Sequence, residues 1–341
     1  MTPAGPAGPA GPPMRVVLAD PILDRFRAEL TSGGADGHDW EFLAGRPDSE
    51  VAAGVLGADV LVASRVTEAM AAAGRGLRLV HVTGAGLDRI ALDALPPGTA
   101  VCNTFHHGRS IAEHVVMAAL MLSRRVRRAE RLLRQGRWES VAVDPGIALG
   151  DTLAGRTVGV IGLGAIGGEV ARMAAALGMR VRAVRRDPAA PLPAGVRPDR
   201  VEGNGGLPAL LAESDLVVVT VPLTESTAGM VGAAELALMR PGALLVNVSR
   251  GPIVDEDALY DALAGGRIGG AALDVWWGHP KDGTGSRGYT RPFDTLDNVV
   301  MTPHHSGHTV ETFAGRAAEI AGNIARLAEG RPLVNVVRAA A

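Results

Sequence analysis

Three glycines in Gly162-Leu163-Gly164-Ala165-Ile166-Gly167 have the spacing of a backbone shaped to receive a pyrophosphate. Each has its own task. Gly162 permits a tight turn, Gly164 lets phosphate approach bare backbone, and Gly167 lets a following helix pack close to a preceding strand. A helix opening here also points unpaired N–H groups and the positive end of its dipole at the anion. Such a string is informative only between a strand and a helix. Here the buried run Thr157–Ile161 reads as the strand and Ile166–Leu177 as the helix.

The next strand, Val181–Val184, ends in Arg185-Arg186. A site for NAD places an acid at that point, ~20 residues past the first glycine, to hold the ribose 2′-hydroxyl. Here two guanidiniums stand in its place, and Asp187 lies two residues too far on. A planar cationic fork clasps a 2′-phosphate that a carboxylate would repel. Arg185 and Arg186 therefore predict NADP in preference to NAD.

The elements around this loop form two α/β series. The first has strands at Arg15–Ala19, Asp59–Ala63, Leu79–Val82 and Ala100–Cys102, alternating with helical stretches at Pro21–Leu30 and Asp48–Val55. A long helix is expected from Ser110, where Ser110-Ile111-Ala112-Glu113 fits a capping box, through a basic tail at 124–134 to a stop at Gly136. The second series has strands at Thr157–Ile161, Val181–Val184, Leu216–Thr220, Ala243–Val248 and Ala271–Val275, with helices at Ala234–Leu238 and Glu256–Ala264. Strands that alternate with helices imply a parallel, doubly wound sheet. An amphipathic helix, Val310–Leu327, closes the chain.

The 341 residues suffice for two domains with cores of their own, and 47% hydrophobic content suits a globular protein. A formal net charge of −2 gives no general attraction to nucleic acid or an anionic membrane. No apolar run approaches the ~20 residues of a membrane helix. Residues 1–13, a Pro-Ala-Gly repeat, read as a disordered tail rather than a secretory signal. The single cysteine, Cys102, reads as a small buried apolar residue, and a cytoplasmic location is expected.

Further motifs resemble the D-2-hydroxyacid dehydrogenase family. They are Leu244-Leu245-Val246-Asn247-Val248-Ser249-Arg250-Gly251 with Val254-Asp255-Glu256, Ala272-Leu273-Asp274-Val275, and Asn298-Val299 through Thr302-Pro303-His304. The resemblance runs from about Arg15 to Val337. It implies a Rossmann-type cofactor domain, residues 110–305, inserted into a smaller flavodoxin-like α/β substrate domain, residues 14–109 and 306–341. It also implies an active site in the cleft between them and a homodimer built on the cofactor domains. By the same match Arg250 binds the carboxylate and carbonyl of a small anionic substrate, and His304 exchanges a proton with the substrate oxygen. That pairing suits hydride transfer: charge building on a carbonyl oxygen is stabilised by a cation and quenched by an imidazolium. Pro222, Thr227, Val248, Ser249 and Gly307 are implied to border the cofactor, and Asp274 to bind the nicotinamide carboxamide. Ala85 and Gly86 match a loop whose amides grip a carboxylate.

Two departures stand out. The Glu that usually pairs with the catalytic histidine is His279 here, which removes a negative charge from the site. Asn103-Thr104-Phe105-His106-His107-Gly108-Arg109 replaces the commoner form of the substrate loop, adding His106, His107 and Arg109 as candidate substrate contacts. Six of the nine histidines (His106, His107, His279, His304, His305, His308) fall on loops expected to face the cleft. Their spacing matches no standard metal site, and none is expected. The cationic loops favour a substrate with an extra acidic group. The function expected is hydride transfer between a nicotinamide cofactor and a 2-hydroxy or 2-keto acid. Dehydrogenation of a small oxyanion or phosphonate, and a non-enzymatic cofactor-sensing corepressor, stand as alternatives.

Overall fold

The computed structural model describes residues 12–278 and 287–340. The chain divides into two compact units: the sequence up to His106 joined by everything from Thr309 on, and His107–His308.

In the first unit β1 (Arg15–Leu18), β2 (Asp39–Phe42), β3 (Val60–Ala63), β4 (Leu79–Val82) and β5 (Ala100–Cys102) lie parallel in the order β2-β1-β3-β4-β5. This is the flavodoxin-type order. A C-terminal strand, Val336–Arg338, adds antiparallel to β5. Successive side chains leave opposite faces of a strand. Val16, Leu18, Val60, Val62 and Leu79 accordingly pack with Phe313, Ala317, Ile320 and Ile324 of the helix Val310–Ala328. Val17, Leu61, Ala63, Val80 and Val82 pack on the other face, with Val51, Val55 and Met70 of the helices Asp48–Val55 and Glu68–Ala73.

The second unit holds β6 (Thr157–Ile161), β7 (Arg180–Val184), β8 (Arg200–Glu202), β9 (Leu216–Val219), β10 (Leu244–Asn247), β11 (Gly270–Leu273) and β12 (Val299–Met301). They form one parallel sheet, ordered β12-β11-β10-β9-β6-β7-β8. The chain runs outward from β6 through β7 and β8, then restarts on the other side of β6 at β9. A parallel sheet opens a crevice where its winding reverses, at the carboxyl ends of the strands. Helices cover both faces. Ile111, Val115, Ala118 and Val170 pack against Val158, Val160, Val218 and Val246, while Leu210, Leu236, Leu259 and Leu263 pack against Val217, Val219, Leu245 and Leu273.

Most expected elements recur with ends shifted by a residue or two. The long helix does not. It begins at Gly108, with His107 as its cap and no side-chain capping bond, so Ser110 sits in the first turn and does not cap. The Ser110 hydroxyl donates to the His107 carbonyl at 3.1 Å, and Glu113 pairs with Arg109 at 3.0 Å. The helix also stops at Ser123, because Arg125 takes a left-handed φ of 50°, and a separate helix spans Val126–Arg134. Among the described residues no helix is long and apolar enough to cross a membrane.

Candidate functional site

β6 delivers the chain to Gly162, whose φ of +97° lies where a side chain is strained. A Cβ on Gly167 would stand 1.9 Å from the Gly162 carbonyl oxygen, so helix and loop touch backbone to backbone. Around Gly164 the reverse holds: no atom lies within 4 Å of a notional Cβ, leaving backbone open to an approaching group. Thr220, just past β9, braces the turn by donating to the Gly162 carbonyl at 2.6 Å. Gly164 caps the helix Ala165–Ala176 without a side-chain bond, so the first-turn amides, including those of Ala165 and Ile166, have no capping acceptor. The cradle fits a pyrophosphate. Leu163 turns into the core, 5% exposed.

The two arginines after β7 differ. The Arg185 Nε donates to the Asp187 carbonyl at 2.6 Å, and its Nη atoms lie 3.3 and 3.4 Å from the Pro191 carbonyl, so this guanidinium braces its own loop. Arg186 is exposed. Farther along the carboxyl edge, beyond β9, Pro222 is exposed, and the Thr227 hydroxyl is turned back on the Pro222 carbonyl at 2.7 Å.

Three neighbouring strands lead into further second-unit candidates. At the end of β10, the buried Asn247 folds the chain back: its Nδ2 donates to the Arg250 carbonyl at 3.0 Å, and its Oδ1 accepts from the Ser249 amide at 3.1 Å. Val248 and Ser249 are buried, and the Ser249 hydroxyl donates to the Val221 carbonyl. Arg250 follows half-buried, with its Nη1 2.8 Å from the Ser249 carbonyl. Asp274, 1% exposed, comes directly after β11. After β12 comes half-buried His304, with a left-handed φ of 58°. The Asp274 carboxylate accepts from the Thr302 hydroxyl at 2.5 Å and from the amides of His305 and Ser306, each at 3.0 Å. The Trp276 indole donates to the Thr302 carbonyl at 2.9 Å. Beneath them lies His114, whose Nε2 is 3.5 Å from the Thr302 hydroxyl and whose ring meets His305 edge-on at 5.6 Å. Burial pushes the His114 pKa down; Asp274 opposes that shift and His305 adds to it.

The buried His107 caps the helix that starts at Gly108, and a Cβ on Gly307 would come within 3.3 Å of its Cβ. In the first unit the loop bearing Ala85 and Gly86 is held by Asn103, whose Nδ2 donates to the Ala85 carbonyl at 3.0 Å. His106 bonds Glu319 at 2.8 Å, in the space that Gly315 leaves by lacking a side chain. Cys102 is fully buried, its thiol pushed up to about 11 by burial and then by Glu319. His279 lies outside the described residues. Among those residues, no group of three His, Cys, Asp or Glu could hold a metal ion.

Asn247, Thr302, Thr220 and His114 escaped the sequence reading. Asn247 and Thr302 stand inside the motifs read above, and His114 left a signal of its own, a polar ring on the apolar stripe Ile111, Val115 and Ala118.

A glycine loop at the switch point of a parallel sheet defines a dinucleotide-binding α/β protein. Residues 116–306 match the model of the D-isomer specific 2-hydroxyacid dehydrogenase NAD-binding domain. The chain is 37% identical over 258 residues to the hydroxypyruvate reductase of Thermotoga maritima, covering 74% of this chain and 79% of that one. It is 33% identical over 333 residues to the D-3-phosphoglycerate dehydrogenase of Archaeoglobus fulgidus; that match covers 95% of this chain but 59% of the relative. A D-isomer specific 2-hydroxyacid dehydrogenase from Xanthobacter autotrophicus Py2, solved in complex with NADPH and MES, superposes with a TM-score of 0.76 at 31% identity, covering 96% of this chain and 98% of that one. The chain belongs to the D-isomer specific 2-hydroxyacid dehydrogenase family.

Proposed function

We propose that the protein interconverts a small 2-keto acid and its 2-hydroxy acid, with NADP preferred over NAD. One observation carries this reading. Arg250 and His304 follow β10 and β12, on the same carboxyl edge as the phosphate cradle after β6. Strands lie ~4.8 Å apart, so two strand spacings separate those loops by about 10 Å at their bases, within reach of one small substrate. The bound nicotinamide supplies or takes up the hydride. Arg250 offers positive charge where negative charge grows on the carbonyl oxygen, and His304 delivers or removes the proton there. On the first unit, we assign the amides of Ala85 and Gly86 to an incoming carboxylate. A substrate anion and a cytoplasmic setting accord with these assignments and with the lone, buried cysteine.

For the cofactor, Arg186 is assigned to the 2′-phosphate and Arg185 to the loop that presents it. The NADPH held by the Xanthobacter relative supports the choice. A homodimer is the proposed assembly. Leu133, Trp138, Val143 and Leu149, which are 56, 71, 68 and 77% exposed, put apolar surface of the second unit in water.

The test is turnover of glyoxylate, hydroxypyruvate and other keto acids with each cofactor, in wild type and in His304→Ala. Loss of a general acid should cost ~10²–10⁴ in kcat while the remote phosphate cradle still binds cofactor. Near-normal kcat in the variant removes His304 from the chemistry.

A further inference from the structure

The backbone at His304 is strained, and the neighbouring bonds show what holds it. A left-handed conformation is unfavourable for a non-glycine residue, and His304 occupies it at φ 58°. The residues on either side are tied to one group. Thr302 comes two residues before His304, and His305 and Ser306 follow it directly; all three donate to the Asp274 carboxylate. The Oδ1 atom takes the Thr302 hydroxyl and the His305 amide, and Oδ2 takes the Ser306 amide. Asp274 is 1% exposed, so water cannot replace these bonds cheaply. Because the Thr302 hydroxyl gives its hydrogen to Asp274, it can only accept from His114, whose Nε2 lies 3.5 Å away on the helix Gly108–Ser123. The Trp276 indole pins the Thr302 carbonyl from a third direction.

We propose that Asp274 and Thr302 are positioning residues for His304: the carboxylate just past β11 clamps 302–306 in the turn that sets the imidazole. This rests on His304 being the acid/base. It differs from the cofactor contact that family resemblance implies for Asp274. A carboxylate holding three donors of its own chain acts first on that chain, and its removal should be felt in proton transfer more than in cofactor affinity.

The variants are Thr302→Val, which keeps the shape and deletes the hydroxyl, Thr302→Ser, which restores it, and Asp274→Asn, which can set an amide N–H against the Ser306 N–H. Each is compared with wild type and His304→Ala for kcat and KM with glyoxylate, for NADPH dissociation constant, and for hydrogen exchange across 302–306. A misplaced catalytic group costs up to ~100-fold in rate. Thr302→Val should therefore lower kcat about 10- to 100-fold with NADPH binding unchanged. Thr302→Ser should recover most of that loss, and Asp274→Asn should speed exchange at the Ser306 amide. Undiminished kcat in Thr302→Val beside an inactive His304→Ala overturns the clamp alone. So does an Asp274→Asn protein that loses NADPH affinity but keeps kcat and amide protection. An active His304→Ala overturns the acid/base reading itself, and the positioning role with it.

Discussion

Acid should loosen the first unit through one buried ring. His81 on β4 has no exposed surface, and burial holds its pKa down at about 4, against an ordinary 6.5. Its hydrogen bonds explain why the neutral form is required. Asn323 Oδ1 accepts from the Val334 amide at 2.9 Å, which fixes which way that side chain points. Its Nδ2 then donates to the Val334 carbonyl and to His81 Nε2, both at 3.0 Å. His81 Nε2 must therefore be the bare nitrogen, with Nδ1–H facing the Val82 carbonyl at 3.3 Å. Protonation sets N–H against N–H and unseats the clasp on the C-terminal segment. Because the folded pKa lies below the unfolded one, this contribution is complete above pH 6.5 and is lost as pH falls from there toward about 4. The gap is worth about 3 kcal/mol in full, and most of it is gone by about pH 4.5. The assay is urea unfolding together with exchange at the Val334 amide, from neutral pH to about pH 4.5, on wild type and on His81→Gln, which does not titrate. Wild type should lose stability and Val334 protection more steeply than the variant. Equal slopes for the two proteins refute the argument.

Two further outcomes follow from the proposed cofactor and assembly. Arg186→Asp should weaken NADPH binding about tenfold or more while sparing NADH, since it places a carboxylate against the 2′-phosphate; an unchanged ratio of the two affinities, measured by titration, rules Arg186 out. Trp138→Asp puts a charge into the exposed apolar stretch and should shift sedimentation from dimer toward monomer, and an unaltered profile moves the interface elsewhere.

The fold was legible where burial wrote a pattern. Val60–Ala63 and Leu216–Val219 are buried at every position and read as unbroken apolar runs. The unread strands lie at sheet edges. β2 and β8 have no fully buried residue, so Asp39-Trp40-Glu41-Phe42 and Arg200-Val201-Glu202 show no such run. Ser110 misled for a different reason. A Ser-x-x-Glu spacing records only that a cap could form, and here the chain was already helical at Gly108, with the hydroxyl bonded backward to His107.

The site divides along the same line. The glycine loop was readable because its function is carried by an absence of side chains: the 1.9 Å that a Cβ on Gly167 would leave to the Gly162 oxygen excludes every other residue type there. Arg185 was harder, because a guanidinium that braces carbonyls at 187 and 191 is written no differently from one waiting for phosphate. Asp274 was hardest. Its motif placed it beside the cofactor, but its oxygens answer to Thr302 and to two backbone amides some thirty residues away, and an amide leaves no letter in a sequence. The strain at His304 supplies the missing argument. A left-handed histidine is affordable only if its neighbours are fixed, and the buried Asp274 carboxylate is bonded on both sides of it.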